Sequence, residues 1–217
     1  MNKNKHLWML LPHRGVATGK SRLSAVLDDA ARSELNGWLL ARTLRVAGAW
    51  LGDAQRCAVV SPCAQTRVLA VDAGAMPLAE PAPCRGLNDA LAHGMSELAA
   101  RGAQRVLILP CDLPLLETAA LQAMLALSDV GAPVVLAPDR HGTGTNAMLV
   151  DAGARTFAFG ADSLARHQKT SEAQGARVAI CAQPALAFDL DTAEDFAWWL
   201  RSGAAVPLFA AARPVSV

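Results

Sequence analysis

Asp112 stands directly behind Arg105-Val106-Leu107-Ile108-Leu109-Pro110-Cys111, an apolar run of strand length that is stopped by a proline. Such a run reads as a buried parallel strand, whose C-terminal end delivers the carboxylate to the sheet edge where open α/β sheets bind ligands. A second acidic site lies in Phe188-Asp189-Leu190-Asp191-Thr192. In an extended segment, a period of two puts Asp189 and Asp191 on one face, with Cα atoms on the order of 6.6 Å apart, and turns Leu190 toward the core. Two carboxylates facing the same way repel unless a cation lies between them. A hard divalent ion such as Mg²⁺ meets that need, because it takes carboxylate oxygens and keeps positions for water and substrate phosphates. Three acids on strand ends suit phosphoryl or nucleotidyl transfer. The competing reading of Asp189 and Asp191 is a helix cap beside an exposed acid.

Cations come from another part of the chain. Arg14, Lys20 and Arg22 fall in the loop His13 to Arg22, after the first apolar run Leu7-Trp8-Met9-Leu10-Leu11-Pro12. The P-loop pattern fails here, because it needs four residues between its glycines and Gly15 to Gly19 encloses three. A loop between strand and helix with Lys as point charge and Arg as fork still makes a phosphate clamp, while a solvated basic turn is the competing reading. Pro138-Asp139-Arg140-His141-Gly142-Thr143-Gly144-Thr145-Asn146 and Phe159-Gly160-Ala161-Asp162-Ser163 add glycines, hydroxyls and an amide that can approach an anion. A ligand-free hairpin turn and simple helix capping by Ser163 explain them as well. His167 reads as a solvent-facing residue as readily as a substrate ligand, and the five histidines show no metal spacing.

The elements that must position these residues alternate. Strands are expected at Leu7–Leu11, Cys57–Ser61, Arg105–Leu109, Ala132–Ala137 and Thr145–Val150, with an edge strand near Leu78 and short extended pieces at Arg177–Cys181 and Leu186–Leu190. Helices are expected at Asp28–Leu51, Gln65–Ala73, Gly86–Arg101, Glu117–Leu127, Asp162–Gln174 and Thr192–Gly203. That order predicts an α/β fold, a single domain over 1–217 with a core at about 7–203 and a C-terminal tail at 204–217, built on a mainly parallel twisted sheet flanked by helices. Trp198-Trp199, with Leu208 and Phe209 after them, read as core or subunit contact.

Composition excludes more than it selects. The 217 residues suffice for a core without staples, and 20 Lys+Arg against 19 Asp+Glu give no global bias toward nucleic acid or an anionic membrane. Five cysteines with no C-x-x-C pair argue against a disulfide framework and a zinc knuckle. Behind the basic Met1–His6, the apolar run Leu7–Leu11 is too short for a signal h-region or a membrane span, so a soluble cytoplasmic protein is expected.

Taken together, Pro12, Lys20-Ser21-Arg22-Leu23-Ser24, Gly86-Leu87-Asn88, Asp112-Leu113-Pro114-Leu115, Pro138-Asp139-Arg140 with Gly142-Thr143-Gly144-Thr145-Asn146, Phe159-Gly160 with Ser163 and His167, and Asp189-Leu190-Asp191-Thr192 with Glu194-Asp195 resemble the 2-phospho-L-lactate guanylyltransferase family, CofC- and FbiD-like. The resemblance runs over residues 8–200. It implies a fold similar to the nucleotidyltransferases that activate molybdopterin and sugar phosphates. It also implies transfer of GMP from GTP to a phospho-acid in deazaflavin coenzyme F-420 biosynthesis, with pyrophosphate released and the product passed to a downstream deazaflavin transferase. The acids used in the family are 2-phospho-L-lactate, phosphoenolpyruvate and 3-phospho-D-glycerate, and the Ala-rich, Trp-containing sequence resembles members that use the last. Residue by residue, it implies Mg²⁺, as two ions, on Asp112, Asp189 and Asp191; GTP contacts at Arg14, Lys20, Arg22 and Asn88; and acid contacts at Thr145, Gly160 and Ser163. Asp112, Lys20 and Arg22 would carry catalysis. His13-Arg14 departs from the family, where many members have a lysine-containing pair. A homodimer is compatible with this reading. The competing functions are a nucleotidyltransferase acting on a sugar or alditol phosphate and a non-catalytic nucleotide-binding module.

Overall fold

The computed structural model describes residues 6–131, 133–204 and 207. The basic Met1–Lys5, Ala132 and most of the C-terminal tail, Leu208 and Phe209 included, therefore lie outside the described residues. Among the described residues, seven strands form one sheet: β1 Leu7–Pro12, β2 Cys57–Ser61, β3 Met76–Ala79, β4 Arg105–Ile108, β5 Val134–Pro138, β6 Thr145–Asp151 and β7 Val178–Ile180, in the order β3-β2-β1-β4-β6-β5-β7. The α-helices are α1 Asp29–Leu51, α2 Ala64–Asp72, α3 Leu87–Ala100, α4 Thr118–Asp129, α5 Ser163–Ala173, α6 Pro184–Ala187 and α7 Ala193–Arg201.

Both faces of the sheet are covered, which is why its central strands read as unbroken apolar runs. Along β1, Met9 and Leu11 pack on one side with Leu40 and Leu44 of α1 and Leu121 and Met124 of α4. Leu10, between them, packs on the other side with Leu91, Met95 and Leu98 of α3. There α3 comes close enough that a Cβ on Gly94 would sit 2.7 Å from Leu10. A third cluster joins Leu35 and Leu39 of α1 to Phe188, Leu190, Phe196 and Trp199. It anchors the acidic segment after α6.

Four strand pairings are parallel, β1 with β2 and β4, β2 with β3, and β5 with β7. The mainly parallel expectation holds, with β6 as the exception, antiparallel to both β4 and β5. Because Met148 is in register with Ile108, the N-terminal residues of β6, Thr145 and Asn146, lie at the edge where β4 ends. The turn-rich loop 139–144 is the short hairpin connection that reverses the chain there. At that edge β1 is flanked by β2 on one side and β4 on the other, the crevice where crossovers diverge and open α/β sheets bind ligands.

Local sequence explains most boundaries. Asp28 caps α1 by accepting from the amide of Ala31 at 2.8 Å, and Gly52 closes it at φ 67°. One expectation needs correcting. Leu186 is not extended, because Pro184, suited to a first helical turn, starts the short α6 and only Phe188 onward is extended. The paired tryptophans divide: Trp199 is buried against Trp38, while Trp198 is exposed and packs on Phe188.

Candidate active site

The loop after β1 is built to place one lysine. His13 continues the sheet by donating to Val60 O, and the amide of Gly15 donates to its Nδ1. Asn36 on α1 donates to Val16 O at 3.0 Å, and Gly19 lies so close to Asn36 that a Cβ would meet its amide at 2.7 Å. Next to this contact Lys20 adopts φ 61°, ψ 34°, a left-handed conformation costing on the order of 1–2 kcal/mol for a residue with a side chain. The strained backbone turns the lysine inward. Its Nζ donates to Asp191 Oδ1 at 2.9 Å and to Asp112 Oδ2 at 3.3 Å, and its side chain is 8% exposed. Burial works against that charge, but the two carboxylates more than offset it and hold the lysine above its ordinary pKa.

Asp112 and the second acidic segment are also joined through the backbone, since Leu190 N donates to Asp112 O at 3.0 Å. Leu190 is fully buried while Asp189 and Asp191 are partly exposed, the two-residue alternation expected of extended chain. Asn146 Nδ2 donates to Leu186 O at 3.0 Å and Ala187 O at 3.2 Å just before this segment, and the pKa of Asp189 is raised by burial and by the charges of Asp112 and Asp191. Asp195 fixes Asp191 from behind. Its Oδ2 accepts from the amides of Asp191 and Thr192 at 3.0 and 2.8 Å, and its Oδ1 pairs with Arg140 Nη2 at 2.5 Å.

Two cavities share a wall made of Pro12, Pro110, Asp112 and Asp191. One, about 300 Å³, is lined by His13, Arg14, Gly15, Gly19, Lys20 and Asn36. The other, about 330 Å³, is lined by Thr145, Asn146, Gly160, Ser163, Asp189 and the apolar Leu87 and Leu91 among others. A side bearing Arg14 and Lys20 and a hydroxyl- and glycine-bearing side thus meet at Asp112.

The residues singled out from sequence divide accordingly. Asp112, Lys20 and Asp191 are brought into direct contact; Asp189 and Arg14 reach the same cleft; Thr145, Gly160 and Ser163 lie together in the second cavity. Arg22, on a single 3-10 turn Ser21–Leu23, is exposed and is not among the residues lining either cavity. Asn88, expected at GTP, spends its amide on Phe159, donating to its O at 3.3 Å and accepting from its N at 2.9 Å, which holds the Phe159-Gly160 turn. Ser163 does not cap α5. Its Oγ accepts from Thr145 N at 2.8 Å, and the capping position is Asp162, in a left-handed conformation with no side-chain cap bond.

His167 is the clearest departure. It is 2% exposed, accepts from the amide of Ala158 at Nε2, and meets Thr145 Oγ1 through Nδ1, each at 3.0 Å. The sequence signal for this burial is its place four residues after Ser163, on the same face of α5. The value of Asn146 and Arg140 had no comparable sequence signal, because each depends on a partner distant in the chain, whereas Asp195 stands three residues after Thr192, the local spacing of a helix start.

Both His13 and His167 are lowered to a pKa of about 4, chiefly by burial. They are neutral when folded and bind protons near 6.5 when unfolded. The unfolded state therefore takes up more protons between these values, so their contribution is complete above pH 6.5, falls as pH drops, and is fully lost below about 4. Urea unfolding at a series of pH values from 7.5 to 4 is expected to show this decline, with both imidazole resonances still those of the neutral ring at pH 5.5. Protonated rings at that pH would contradict it.

The CofC-like guanylyl transferase family model matches residues 7–204. The chain belongs to this family. Its membership makes the molecule a guanylyltransferase, and so a nucleotidyltransferase. It is 38% identical over 199 residues to a phosphoenolpyruvate guanylyltransferase of Rubrobacter xylanophilus, covering 91% of this chain and 95% of that one. It is also 38% identical over 189 residues to a 3-phospho-D-glycerate guanylyltransferase of Phenylobacterium zucineum, covering 86% of each. In fold it resembles the crystal structure of a Desulfovibrio desulfuricans G20 protein assigned as a nucleotide-diphospho-sugar transferase, with TM-score 0.72, 15% identity, and 91% and 87% of the two chains covered. Among the described residues of this guanylyltransferase, no helix is long and apolar enough to cross a membrane.

Proposed function

We propose that this guanylyltransferase moves GMP from GTP onto the phosphate of a three-carbon acid, with 3-phospho-D-glycerate as the expected acceptor, in the assembly of the coenzyme F-420 side chain. The observation that carries the reading is the shared wall of the two cavities. GTP phosphates fit the side of Arg14, Gly15 and Lys20, the acid fits the side of Thr145, Gly160 and Ser163, and the reacting groups meet at Asp112. The Phenylobacterium relative supports phosphoglycerate, and the Rubrobacter relative makes phosphoenolpyruvate the control.

Asp112, Asp189 and Asp191 fit a hard divalent cation in chemistry. All their donors are oxygens, Asp112 Oδ1 is buried without a hydrogen-bond partner among the described residues, and the pKa of Asp189 is raised by burial and then by the charges of Asp112 and Asp191. Among the described residues no three acidic, His or Cys side chains already surround a common point, and Lys20 reaches both Asp112 and Asp191. Bound there, Mg²⁺ would supply charge neutralisation to the phosphates.

The chain's own residues account for the rest. An acceptor phosphate oxygen is anionic near neutral pH, so attack needs no general base. That oxygen bonds to the α-phosphorus of GTP as the bond to the bridging oxygen breaks, and the electron pair leaves with pyrophosphate. Lys20 and Arg14 stabilise the phosphate charge from the β1 loop, and positioning of two substrates on one wall removes much of the entropic barrier. The product, an activated acid, suits a transferase that places the acid on the deazaflavin side chain.

Purified protein incubated with GTP, Mg²⁺ and each of 3-phospho-D-glycerate, phosphoenolpyruvate and 2-phospho-L-lactate tests this by pyrophosphate release. Release with phosphoglycerate, at a kcat/KM on the order of tenfold or more above the others, is expected. No release with any acid removes the proposed acceptor class.

A further inference from the structure

We infer that His167 is a positioning residue that makes the Thr145 hydroxyl a hydrogen-bond donor to an anionic oxygen of the acid. The inference rests on the acceptor reading above and goes one atom deeper.

The hydrogen on His167 is placed by its partners. A backbone N–H can only donate, so the bond from Ala158 N to Nε2 requires a lone pair at Nε2. A neutral imidazole then carries its hydrogen on Nδ1. Burial keeps the ring neutral, with a pKa of about 4. At 3.0 Å from Nδ1, Thr145 Oγ1 must therefore accept, and its own hydrogen is left to point elsewhere. Thr145 and Ser163 line the cavity that ends at Asp112, whereas His167 is 2% exposed behind them.

Three restraints keep this assignment from inverting. Thr145 is held in place by its main chain, whose N–H donates to Ser163 Oγ at 2.8 Å. Ser163 and His167 are four apart on one face of α5, so a single helix grips Thr145 at the backbone and at the side chain. The imidazole is wedged by Phe159, edge-on at 4.7 Å, and Phe159 is itself clamped by Asn88. The other tautomer would set a nitrogen hydrogen against the Ala158 amide, and a ring flip would set carbon hydrogens against both partners. The wall thus offers a donor that a phosphate or carboxylate oxygen accepts, and this gives His167 a part in acid selection without touching the acid.

Two measurements test it. Long-range ¹H–¹⁵N spectra of the wild-type protein should show His167 with hydrogen on Nδ1 and a bare Nε2; hydrogen on Nε2 overturns the inference whatever the activity. In steady-state kinetics, Thr145→Val should raise KM for the acid on the order of tenfold or more, since a bond to a charged group is lost, with KM for GTP within about threefold of wild type. Thr145→Ser should stay close to wild type. His167→Phe should raise the acid KM in the same direction. Unchanged acid KM in Thr145→Val, with wild-type turnover intact, overturns this inference alone; absence of turnover with every acid overturns the acceptor reading and this one with it. Inhibition by D-glycerate and by glycerol 3-phosphate separates the oxygen's source: the inhibitor that weakens with Thr145→Val carries the group Thr145 contacts, and weakening of neither overturns the contact.

Discussion

Asp112→Asn is expected to lower the rate of pyrophosphate release by at least 10²–10³-fold, the rough scale for removing one preorganised charge partner at a phosphoryl centre. The fold should survive, with melting unchanged within a few degrees. Asparagine has the same shape, the link to Leu190 uses the main-chain oxygen of Asp112, and Lys20 keeps Asp191 at 2.9 Å. What is lost is charge: the amide offers one neutral oxygen where the carboxylate offers Oδ2 to Lys20 and a second, buried Oδ1 with no hydrogen-bond partner among the described residues. A rate within tenfold of wild type would end the case for Asp112 as the meeting point of the two substrates.

Asp195→Ala has the largest expected effect on stability. Asp195 is 3% exposed and closes a capping box with Thr192 at the start of α7, while also pairing with Arg140. Losing the cap costs roughly 0.5–2 kcal/mol. Leaving Arg140 without its carboxylate adds to this, discounted because that side chain is 32% exposed and water can reach it. A total of about 2–4 kcal/mol corresponds to a fall in melting temperature of roughly 5–15 °C for a chain of this size. Activity should fall as well, since the Asp191 amide loses its acceptor. Burial alone would raise the Asp195 pKa, yet the amides of Thr192 and Asp191 and the Arg140 guanidinium bring it below 3.8. A carboxyl lowered on folding stabilises above its unfolded value, and that stability disappears as pH falls through the folded value. The gap between wild type and variant should therefore persist from pH 7 to 5 and narrow only below 3.8. A melting loss under 2 °C would show that Arg140 and α7 do not depend on this carboxylate.

Local patterns carried much of the fold and part of the site into view. The strand before Asp112 and the core stripe Leu91, Met95 and Leu98 were legible because burial on both faces of the sheet leaves an unbroken apolar run and burial of one helix face leaves a 3.6-residue rhythm. Asp189 and Asp191 were legible for a similar reason, with fully buried Leu190 between them setting the alternation. The direction of β6 was not: Thr145–Asp151 has the same composition whichever way it runs, and its reversal depends on the register it finds beside β4 and β5. The commitments of Asn88, Ser163 and His167 were hidden too, because a polar side chain does not announce whether it faces water, ligand or a main-chain group 71 residues away. Arg140 and Asp195 form a pair only after the hairpin and α7 have been brought together.

The reversed strand has an evolutionary corollary. Since β6 enters the cleft from the opposite direction, the walls of its two chambers come largely from different stretches of chain, residues 12–36 for one and 139–163 for much of the other, with the acids near 112 and 191 held in common. Under the proposed division of substrates, mutations that retune the choice of acid can accumulate in the later stretch while the chamber proposed for the triphosphate is inherited intact. A family built this way can diversify its acceptors without reinventing its donor.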